Sequence, residues 1–288
     1  MKEYTLVKIS DIDRNTALEL VNSDTPDDMR VLLDTPYPVD QQMAMQYQEN
    51  GFIRTEKVLP DPLLGYVRGV IGAAVLLRKE SDKRLLAEKS RYEQSFLQCG
   101  YLSWDFPAVK DIVFSKRLAG IARDLMGVGH VRLWHDQALY KEPGGRITDM
   151  HQDISYWPMH TANTTTIWIA LQDVPVERGC LYFLPGTHKT GLEEYVDIFK
   201  NPHIPDQVKN SPRIDVPLKA GDATFHSGLT FHGARENQTD VMREAMTVIY
   251  IGDGTKFDAS DPRNATHKSC DGLEDGAVIN TRYTPVLI

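Results

Sequence analysis

The chain has 288 residues, of which 41% are hydrophobic and 25% are charged, as in an ordinary globular protein with enough apolar side chains for a large core. Its 40 acidic and 32 basic residues give a formal net charge of −8, which disfavours nucleic acid and anionic membranes as partners. The sequence contains no run of ~18 apolar residues, no apolar signal-peptide segment and only three widely spaced cysteines. We therefore expect a cytoplasmic protein with neither nucleic-acid nor membrane partners.

The first part of the chain predicts little regular structure before one short helix. Residues 1–37 mix charge, aspartate and proline without a clear period, which indicates an irregular lead-in or a lid. Residues 39–49 predict a helix that ends at Asn50 and Gly51, because this pair tolerates the left-handed conformation of a helix C-terminus. A first strand is expected to follow over residues 52–59.

Two further helices are predicted before the middle of the chain. Asp61 as N-cap and Pro62 at the first helical position begin one helix, and apolar residues at helical spacing extend it to about Arg78. The second helix begins at Ser115. The charged segment 80–100 between them is compatible with another helix or a long loop. The N-terminal region is therefore expected to be mainly helical.

The pattern changes to short strands after residue 130. Segments rich in β-branched and aromatic residues are separated by Gly, Pro and Asp turns: VRLWHDQALYK, TTTIWIALQDV, CLYFLPG, DATFHSG and AMTVIYIG. Such spacing without intervening helices indicates an antiparallel sandwich or barrel. We predict a mainly β protein with a helical N-terminal region, namely a double-stranded β-helix (a cupin-like jelly roll) flanked by helices. One domain is expected over 1–288, with helical support and a lid over 1–128, the jelly-roll core over 129–255 and a C-terminal tail over 256–288.

A candidate metal site lies in the sequence Met-His-Gln-Asp at residues 150–153. On a strand, His151 and Asp153 point to the same face, so their side chains converge on one point. A second imidazole from a distant strand would complete a 2-His-1-carboxylate triad, which holds Fe(II) with three positions open. His-x-Asp alone is also compatible with a surface turn. His226 and His232 both qualify as the third ligand, and periodicity does not choose between them because they share parity.

Five motifs occur in an order that resembles the phytanoyl-CoA dioxygenase family of Fe(II)/2-oxoglutarate oxygenases: LWHDQALYKEPGG, MHQDISYWP, TIWIALQDV, GCLYFLPGTHK and GDATFHSGLTFHGAREN followed by MREAM. The resemblance is strong over 130–250 and looser over 40–128. It implies Fe(II), 2-oxoglutarate as co-substrate and O2. It selects His232 as the third metal ligand, because Gly233 follows it. It also implies that Arg243, eleven residues after His232, holds the distal carboxylate of 2-oxoglutarate.

Four more side chains are candidates for the pocket around this centre. The resemblance implies that Gln137 and Trp168 contact 2-oxoglutarate, and the parity of Gln137 on its predicted strand points it inward. A satisfied buried amide and plain core packing are their respective alternatives. Tyr156 and Trp157 follow the metal motif and are expected at the mouth of the barrel. There they form either an apolar wall for substrate or ordinary packing.

The reaction implied by the resemblance is oxidation of an aliphatic C–H bond, hydroxylation by default, with release of succinate and CO2. The carboxylate of Asp153 argues against a halogenase, which lacks this ligand. Ala234 stands where some relatives have a serine that assists the arginine, so another donor is expected. We expect a small-molecule substrate such as a natural-product intermediate, because the acidic chain shows no basic cluster for coenzyme A phosphates. The alternatives are an acyl-CoA 2-hydroxylase of the same family, a cupin-like metal-dependent isomerase or hydrolase, and an inactive binding module.

Overall fold

Two antiparallel β-sheets form the centre of the protein, which the computed structural model describes over residues 12–160, 163–192, 206, 208–261 and 268–288. In chain order the elements are α1 (Arg14–Asn22), α2 (Asp27–Asp34), α3 (Gln41–Asn50), β1 (Phe52–Thr55), α4 (Asp61–Lys79), α5 (Arg91–Ser95), β2 (Leu97–Gly100), α6 (Leu102–Asp105), α7 (Pro107–Val113), α8 (Lys116–Met126), β3 (Val131–Tyr140), β4 (Thr148–His151), β5 (Thr164–Ala170), β6 (Leu181–Phe183), β7 (Ile214–Val216), β8 (Ala223–Ser227), β9 (His232–Ala234) and β10 (Ala245–Gly252).

The strand order is that of a double-stranded β-helix. The larger sheet has six strands in the order β1-β8-β5-β10-β3-β2, and the smaller has four in the order β4-β9-β6-β7. In the larger sheet Thr166 of β5 lies opposite His226 of β8. In the smaller sheet His151 of β4 lies opposite His232 of β9. The predicted jelly roll with helices in its N-terminal region is confirmed.

The helices cover the outer face of the six-stranded sheet. Along β10, Val248 and Tyr250 point outward into an apolar core shared with α4 and α8, whereas Thr247 and Ile249 point inward to the pocket between the sheets. This alternation follows from the two-residue period of a strand. Each fully buried aliphatic side chain of this core contributes roughly 1.5–3 kcal/mol to folding. The core therefore makes the six-stranded sheet a rigid support for the inward-pointing residues.

The residues predicted to end or cap helices agree with the structure at Gly51 and Ser115 but not at Asp61. Gly51 ends α3 in the left-handed conformation, with φ of 78°. Ser115 caps α8, and its hydroxyl accepts a hydrogen bond from the backbone N–H of Leu118 at 3.1 Å. The start of α4 differs, because Pro60 occupies the N-cap position and Asp61 is the first helical residue, without a side-chain capping bond. The carboxylate of Asp61 thus lies in the first turn, where the helix dipole still favours it.

Three predictions for the N-terminal region were wrong or incomplete. The expectation of an irregular segment over 1–37 was wrong for its described part, which forms α1 and α2; residues 1–11 lie outside the described residues. These helices form through tertiary packing, since each buries two apolar residues one turn apart: Ala17 and Val21 in α1, and Met29 and Leu33 in α2. The strand expected over 52–59 is shorter and ends at Thr55. The ambiguous segment 80–100 contains both α5 and β2.

Two strands of the larger sheet come from the region predicted to be helical. β1 pairs with β8 and β2 pairs with β3, so both outer strands precede residue 129. The described part of the tail, 256–261 and 268–288, contains no strand of either sheet, but its end runs along β3 through a backbone hydrogen bond from Leu287 to Val131 (3.0 Å). Among the helices described, none combines the length and apolar content needed to cross a membrane.

Candidate metal centre and adjoining pocket

Three possible ligand atoms converge between the two sheets. His151 ends β4, His232 begins β9, and Asp153 begins a short 3-10 turn after β4. Asp153 Oδ1 lies 3.5 Å from His151 Nε2 and 3.6 Å from His232 Nε2. Neighbouring ligands of an octahedral ion with bonds of ~2.1 Å lie roughly 3 Å apart, so a small closure of these three atoms would fit one divalent ion. The residues present therefore fit a single metal ion.

The backbone at this motif differs from the predicted continuous strand. β4 ends at His151, and Asp153 already belongs to the following 3-10 turn. Gln152 between them keeps an extended conformation, with φ of −108° and ψ of 129°, so the two side chains still point the same way. The Gln152 amide donates hydrogen bonds to the carbonyls of Gly191 and Leu229, both at 2.8 Å. These bonds fix the turn that presents the carboxylate.

Backbone hydrogen bonds orient both imidazoles with Nε2 towards the centre. His151 Nδ1 lies 2.8 Å from the carbonyl oxygen of Asp149, and His232 Nδ1 lies 2.9 Å from that of Thr230. A carbonyl only accepts, so each Nδ1 carries the proton and each Nε2 keeps a lone pair for a metal. Burial also lowers the pKa of His232 well below its ordinary value. This imidazole is therefore neutral and able to act as a ligand at neutral pH.

The two oxygens of Asp153 have different partners, which distinguishes the two candidate histidines. Oδ1 faces His151 and His232, whereas Oδ2 lies 2.8 Å from the Thr166 hydroxyl and 3.2 Å from His226 Nε2. Burial favours a higher pKa for Asp153, but the surrounding imidazoles, of which His226 donates a hydrogen bond to Oδ2, hold it well below the ordinary range. The carboxylate is thus ionised, and the geometry groups His232 with the converging atoms.

A glycine after His232 is required by the close approach of three strands. A Cβ atom at Gly233 would lie 2.4 Å from the Tyr182 hydroxyl on β6 and 2.6 Å from the Thr148 carbonyl on β4. Both contacts are far below a normal van der Waals distance, and the second is with backbone that cannot rotate away. The His-Gly pair is therefore a packing requirement of the strand that carries the imidazole.

The same cavity, of about 290 Å³, contains a buried guanidinium with no anionic partner. Arg243 is 2% exposed, donates to the carbonyls of Gly179 (2.9 Å) and Leu139 (3.2 Å), and lies 5.1 Å above the ring of Trp168. Among the described residues, no carboxylate pairs with it, and neither its Nε nor Trp168 Nε1 has a hydrogen-bond partner. Burial lowers the pKa of Arg243 to about 9. This end of the cavity is therefore suited to an anion.

A threonine lines the same cavity as Arg243, opposite the alanine that stands where some relatives have a serine. Thr148 on β4 lies directly opposite Ala234 on β9, and both line the cavity. The Thr148 hydroxyl oxygen lies 3.5 Å from Nζ of Lys141, which is fully buried. Burial lowers the pKa of Lys141 well below its ordinary value. An amine that donates to this oxygen leaves the hydroxyl proton available for an anion. Sequence reasoning missed both residues, because their positions depend on strand register.

All eight residues predicted for the site line this one cavity: His151, Asp153, His232, Arg243, Gln137, Trp168, Tyr156 and Trp157. The rest of its outer wall comes from α5, β2 and the residues directly before and after β2: Tyr92, Phe96, Gln98 and Tyr101. The Tyr92 hydroxyl donates to Oε1 of Gln98, whose amide in turn donates to Oε1 of Gln137. These wall residues lie in or next to the charged segment that could not be assigned from sequence, so no signal identified them.

The wall residue Tyr101 is held in a strained backbone conformation. Its φ of 56° and ψ of 36° are left-handed, which costs a non-glycine residue roughly 1–2 kcal/mol. Its N–H donates to the carbonyl of Asp136 at 2.7 Å, and the Asp136 carboxylate accepts from the N–H of Leu102 (2.9 Å) and the hydroxyl of Ser103 (2.5 Å). The Tyr101 ring lies 5.3 Å from that of His135. Strain maintained by such anchoring is common at functional sites.

A double-stranded β-helix that closes around two imidazole nitrogens and one carboxylate oxygen is the arrangement characteristic of non-heme iron oxygenases. The family profile described as phytanoyl-CoA dioxygenase (PhyH) matches residues 47–245, and the chain belongs to this family.

Relatives and solved structures agree with this assignment. A probable phytanoyl-CoA dioxygenase of Caenorhabditis elegans is 32% identical over 162 residues, which are 51% of this chain and 49% of that protein, so the chain spans about half the length of this curated relative. The non-heme alpha ketoglutarate dependent carbocyclase SnoK from nogalamycin biosynthesis is 26% identical, with a TM-score of 0.71 over 88% of this chain and 99% of SnoK. The epimerase SnoN, in complex with Fe3+, alpha ketoglutarate and nogalamycin RO, is 27% identical, with a TM-score of 0.70 over 86% and 98% of the two chains. The family resemblance is confirmed.

Proposed function

We propose that this protein is an Fe(II)- and 2-oxoglutarate-dependent oxygenase that hydroxylates, or otherwise oxidises, an aliphatic C–H bond of a small molecule. The observation that carries the proposal is Arg243, a buried cation without a carboxylate partner in the same cavity as the converging histidines and aspartate. A dianionic oxoacid would supply the missing charge. The complex of SnoN with iron and alpha ketoglutarate supports the same pairing of cofactor and co-substrate.

We assign roles to the residues by their geometry. His151, Asp153 and His232 hold the iron through Nε2, Oδ1 and Nε2. Arg243 binds the distal carboxylate of 2-oxoglutarate with its planar guanidinium, and Trp168 packs beneath that guanidinium.

Two further residues complete the co-substrate pocket. Thr148 donates a second hydrogen bond to the distal carboxylate in place of the family serine. Gln137, itself oriented by Gln98, faces the co-substrate from β3. When bound, iron with 2-oxoglutarate and O2 supplies the oxidant and releases succinate and CO2, while the apolar walls exclude water.

The outer wall supports an uncharged substrate with apolar or aromatic surface. Apart from Arg243, the described residues that line the cavity include no lysine or arginine. Arg91 on α5 and Arg146 before β4 both pair with Asp149, at 3.1 and 3.4 Å. They are therefore not free to bind the phosphates of coenzyme A. A natural-product intermediate fits this wall, which Tyr156 and Trp157 complete, better than an acyl-CoA does.

The test is an anaerobic titration of the apo-protein with Fe(II) and then with 2-oxoglutarate. The expected result is a weak visible charge-transfer band that is absent from Arg243→Ala and His232→Ala. A protein that binds Zn and shows no such band would instead be a cupin-like hydrolase or isomerase. Succinate release is then measured with candidate substrates, and saturable turnover of an acyl-CoA at submillimolar concentration, with no turnover of free acids, would refute the substrate class.

A further inference from the structure

The carboxylate of Asp153 is held from the side opposite the metal by a pair of residues from the larger sheet. We propose that His226 and Thr166 are positioning residues that bind Oδ2 of Asp153, so that only Oδ1 coordinates the iron. This inference rests on the proposed function, because it concerns how the iron site keeps positions open for 2-oxoglutarate and O2.

The two donors form one cross-strand pair. Thr166 on β5 and His226 on β8 are directly opposite each other in the antiparallel register, so their side chains leave the same face of the sheet side by side. Both reach across the barrel to Oδ2 of Asp153, at 2.8 Å from the threonine hydroxyl and 3.2 Å from the imidazole Nε2. The pair therefore links the larger sheet to the turn that follows β4 of the smaller sheet.

The orientation of His226 favours the carboxylate over any other partner. A carboxylate oxygen only accepts, so Nε2 of His226 carries the proton and Nδ1 keeps a lone pair. Nδ1 is buried and has no hydrogen-bond partner among the described residues, in a side chain that is 1% exposed. Leaving that atom unsatisfied costs free energy. The contact with Asp153, and packing of the ring against Phe183 (5.3 Å) and His232 (4.3 Å), offset this cost.

The two donors on Oδ2 matter because the iron needs open coordination positions for its co-substrate and O2. A carboxylate with both oxygens available can occupy one or two positions of a metal ion. A 2-His-1-carboxylate site must keep three positions open, two for the oxoacid and one for O2. Two donors on Oδ2 of Asp153 restrict the carboxylate to one position. The sequence GDATFHSGLTFHG thus uses its two histidines differently, since His232 faces Oδ1 and His226 faces Oδ2.

The experiment removes each donor and measures iron and 2-oxoglutarate binding separately. The variants are His226→Leu, Thr166→Val and the double variant, with Thr165→Val as matched control. Thr165 is the fully buried neighbour on β5, and its hydroxyl donates to the backbone carbonyl of His226 at 3.2 Å. Fe(II) affinity is measured by competition with a chelator under anaerobic conditions. The charge-transfer band is then titrated with 2-oxoglutarate.

The double variant is expected to bind Fe(II) within ~3-fold of the wild type but to bind 2-oxoglutarate at least ~10-fold more weakly, with a shifted band. His226→Gln keeps an amide donor in reach and is expected to restore most of the 2-oxoglutarate affinity. A double variant with wild-type 2-oxoglutarate affinity and band overturns the inference. So does a parallel fall in iron affinity, 2-oxoglutarate affinity and unfolding temperature that the glutamine does not rescue. Absence of the band from the wild type would instead refute the proposed function.

Discussion

Replacing Arg243 by methionine tests whether this arginine serves 2-oxoglutarate binding or the stability of the fold. Burial lowers the pKa of Arg243 from its ordinary value to about 9, which at about 1.4 kcal/mol per pKa unit corresponds to a cost of about 5 kcal/mol for holding this cation in the protein without an anion. Methionine removes that cost. It also leaves the Gly179 and Leu139 carbonyls without their donor, at roughly 1–3 kcal/mol each.

These two effects partly cancel, so the free energy of unfolding of the apo-protein should rise by at most ~3 kcal/mol or fall by at most ~1 kcal/mol. Binding of 2-oxoglutarate should be lost, because removing one member of a buried charged pair costs about 2–5 kcal/mol, or roughly 30- to 4,000-fold in affinity. Urea unfolding of the apo-protein gives the first quantity, and anaerobic calorimetry of the Fe(II)-loaded protein with 2-oxoglutarate gives the second.

Arg132→Met is the matched control. Arg132 is also buried, but it pairs with Asp253 at 2.6 Å and donates to Asn280 and the Thr284 carbonyl far from the cavity. Its replacement should lower the free energy of unfolding and leave 2-oxoglutarate affinity unchanged. If Arg243→Met lowers the free energy of unfolding by more than ~3 kcal/mol and keeps 2-oxoglutarate affinity within threefold, Arg243 is a structural cation and the reasoning is refuted.

Three smaller changes test other parts of the site. Thr148→Val should weaken 2-oxoglutarate binding ~3- to 10-fold, and adding Ala234→Ser should restore it; an unchanged affinity in the single variant would exclude the threonine as donor. Burial raises the pKa of Asp136 from 3.8 to about 6, so its ionisation should lower the free energy of unfolding by up to about 3 kcal/mol as pH rises from 4 to 6. Asp136→Asn should remove that contribution in urea titrations across this range, and identical pH profiles would contradict the assignment. Gly233→Ala should lower the free energy of unfolding by ~1–3 kcal/mol and weaken Fe(II) binding, measured by denaturation and by chelator competition. Gly69→Ala on α4 is the control and should do neither, because the space around its Cβ position is open.

The sequence was most informative where function depends on neighbours in the chain. His151 and Asp153 are two residues apart, so their convergence needs only a locally extended backbone, which Gln152 keeps even though the strand itself ends earlier. The alternation of β3 also specified that Gln137 points inward, and Gln137 lines the cavity. Periodicity could not distinguish His226 from His232, because both point inward, and only their positions relative to Asp153 separate their roles.

The sequence was least informative where the site depends on packing between distant segments. Thr148 becomes a pocket residue through its register with Ala234, 86 positions away by their numbers. Tyr101 depends on a strained backbone anchored by Asp136, and nothing in its own neighbourhood encodes that anchor. Helices α1 and α2 likewise depend on packing against distant segments, since α1 contacts α4 and α2 contacts both α4 and α8.

The two outer strands β1 and β2 have a consequence for how the chain acquires its structure. Both are made before residue 101, but β8, the partner of β1, begins only at residue 223, and β3, the partner of β2, begins at residue 131. During synthesis both segments therefore remain unpaired until their partners have been made. For β1 this requires the addition of more than a hundred residues between Thr55 and β8. Contacts of such sequence separation slow folding, because the loop-closure entropy is lost before the pairing is gained. A fragment limited to residues 129–255 would expose the edges of β8 and β3, which are templates for association with other chains. The N-terminal half therefore covers the edges of β8 and β3 with its own two strands, in addition to supporting the outer face of the larger sheet.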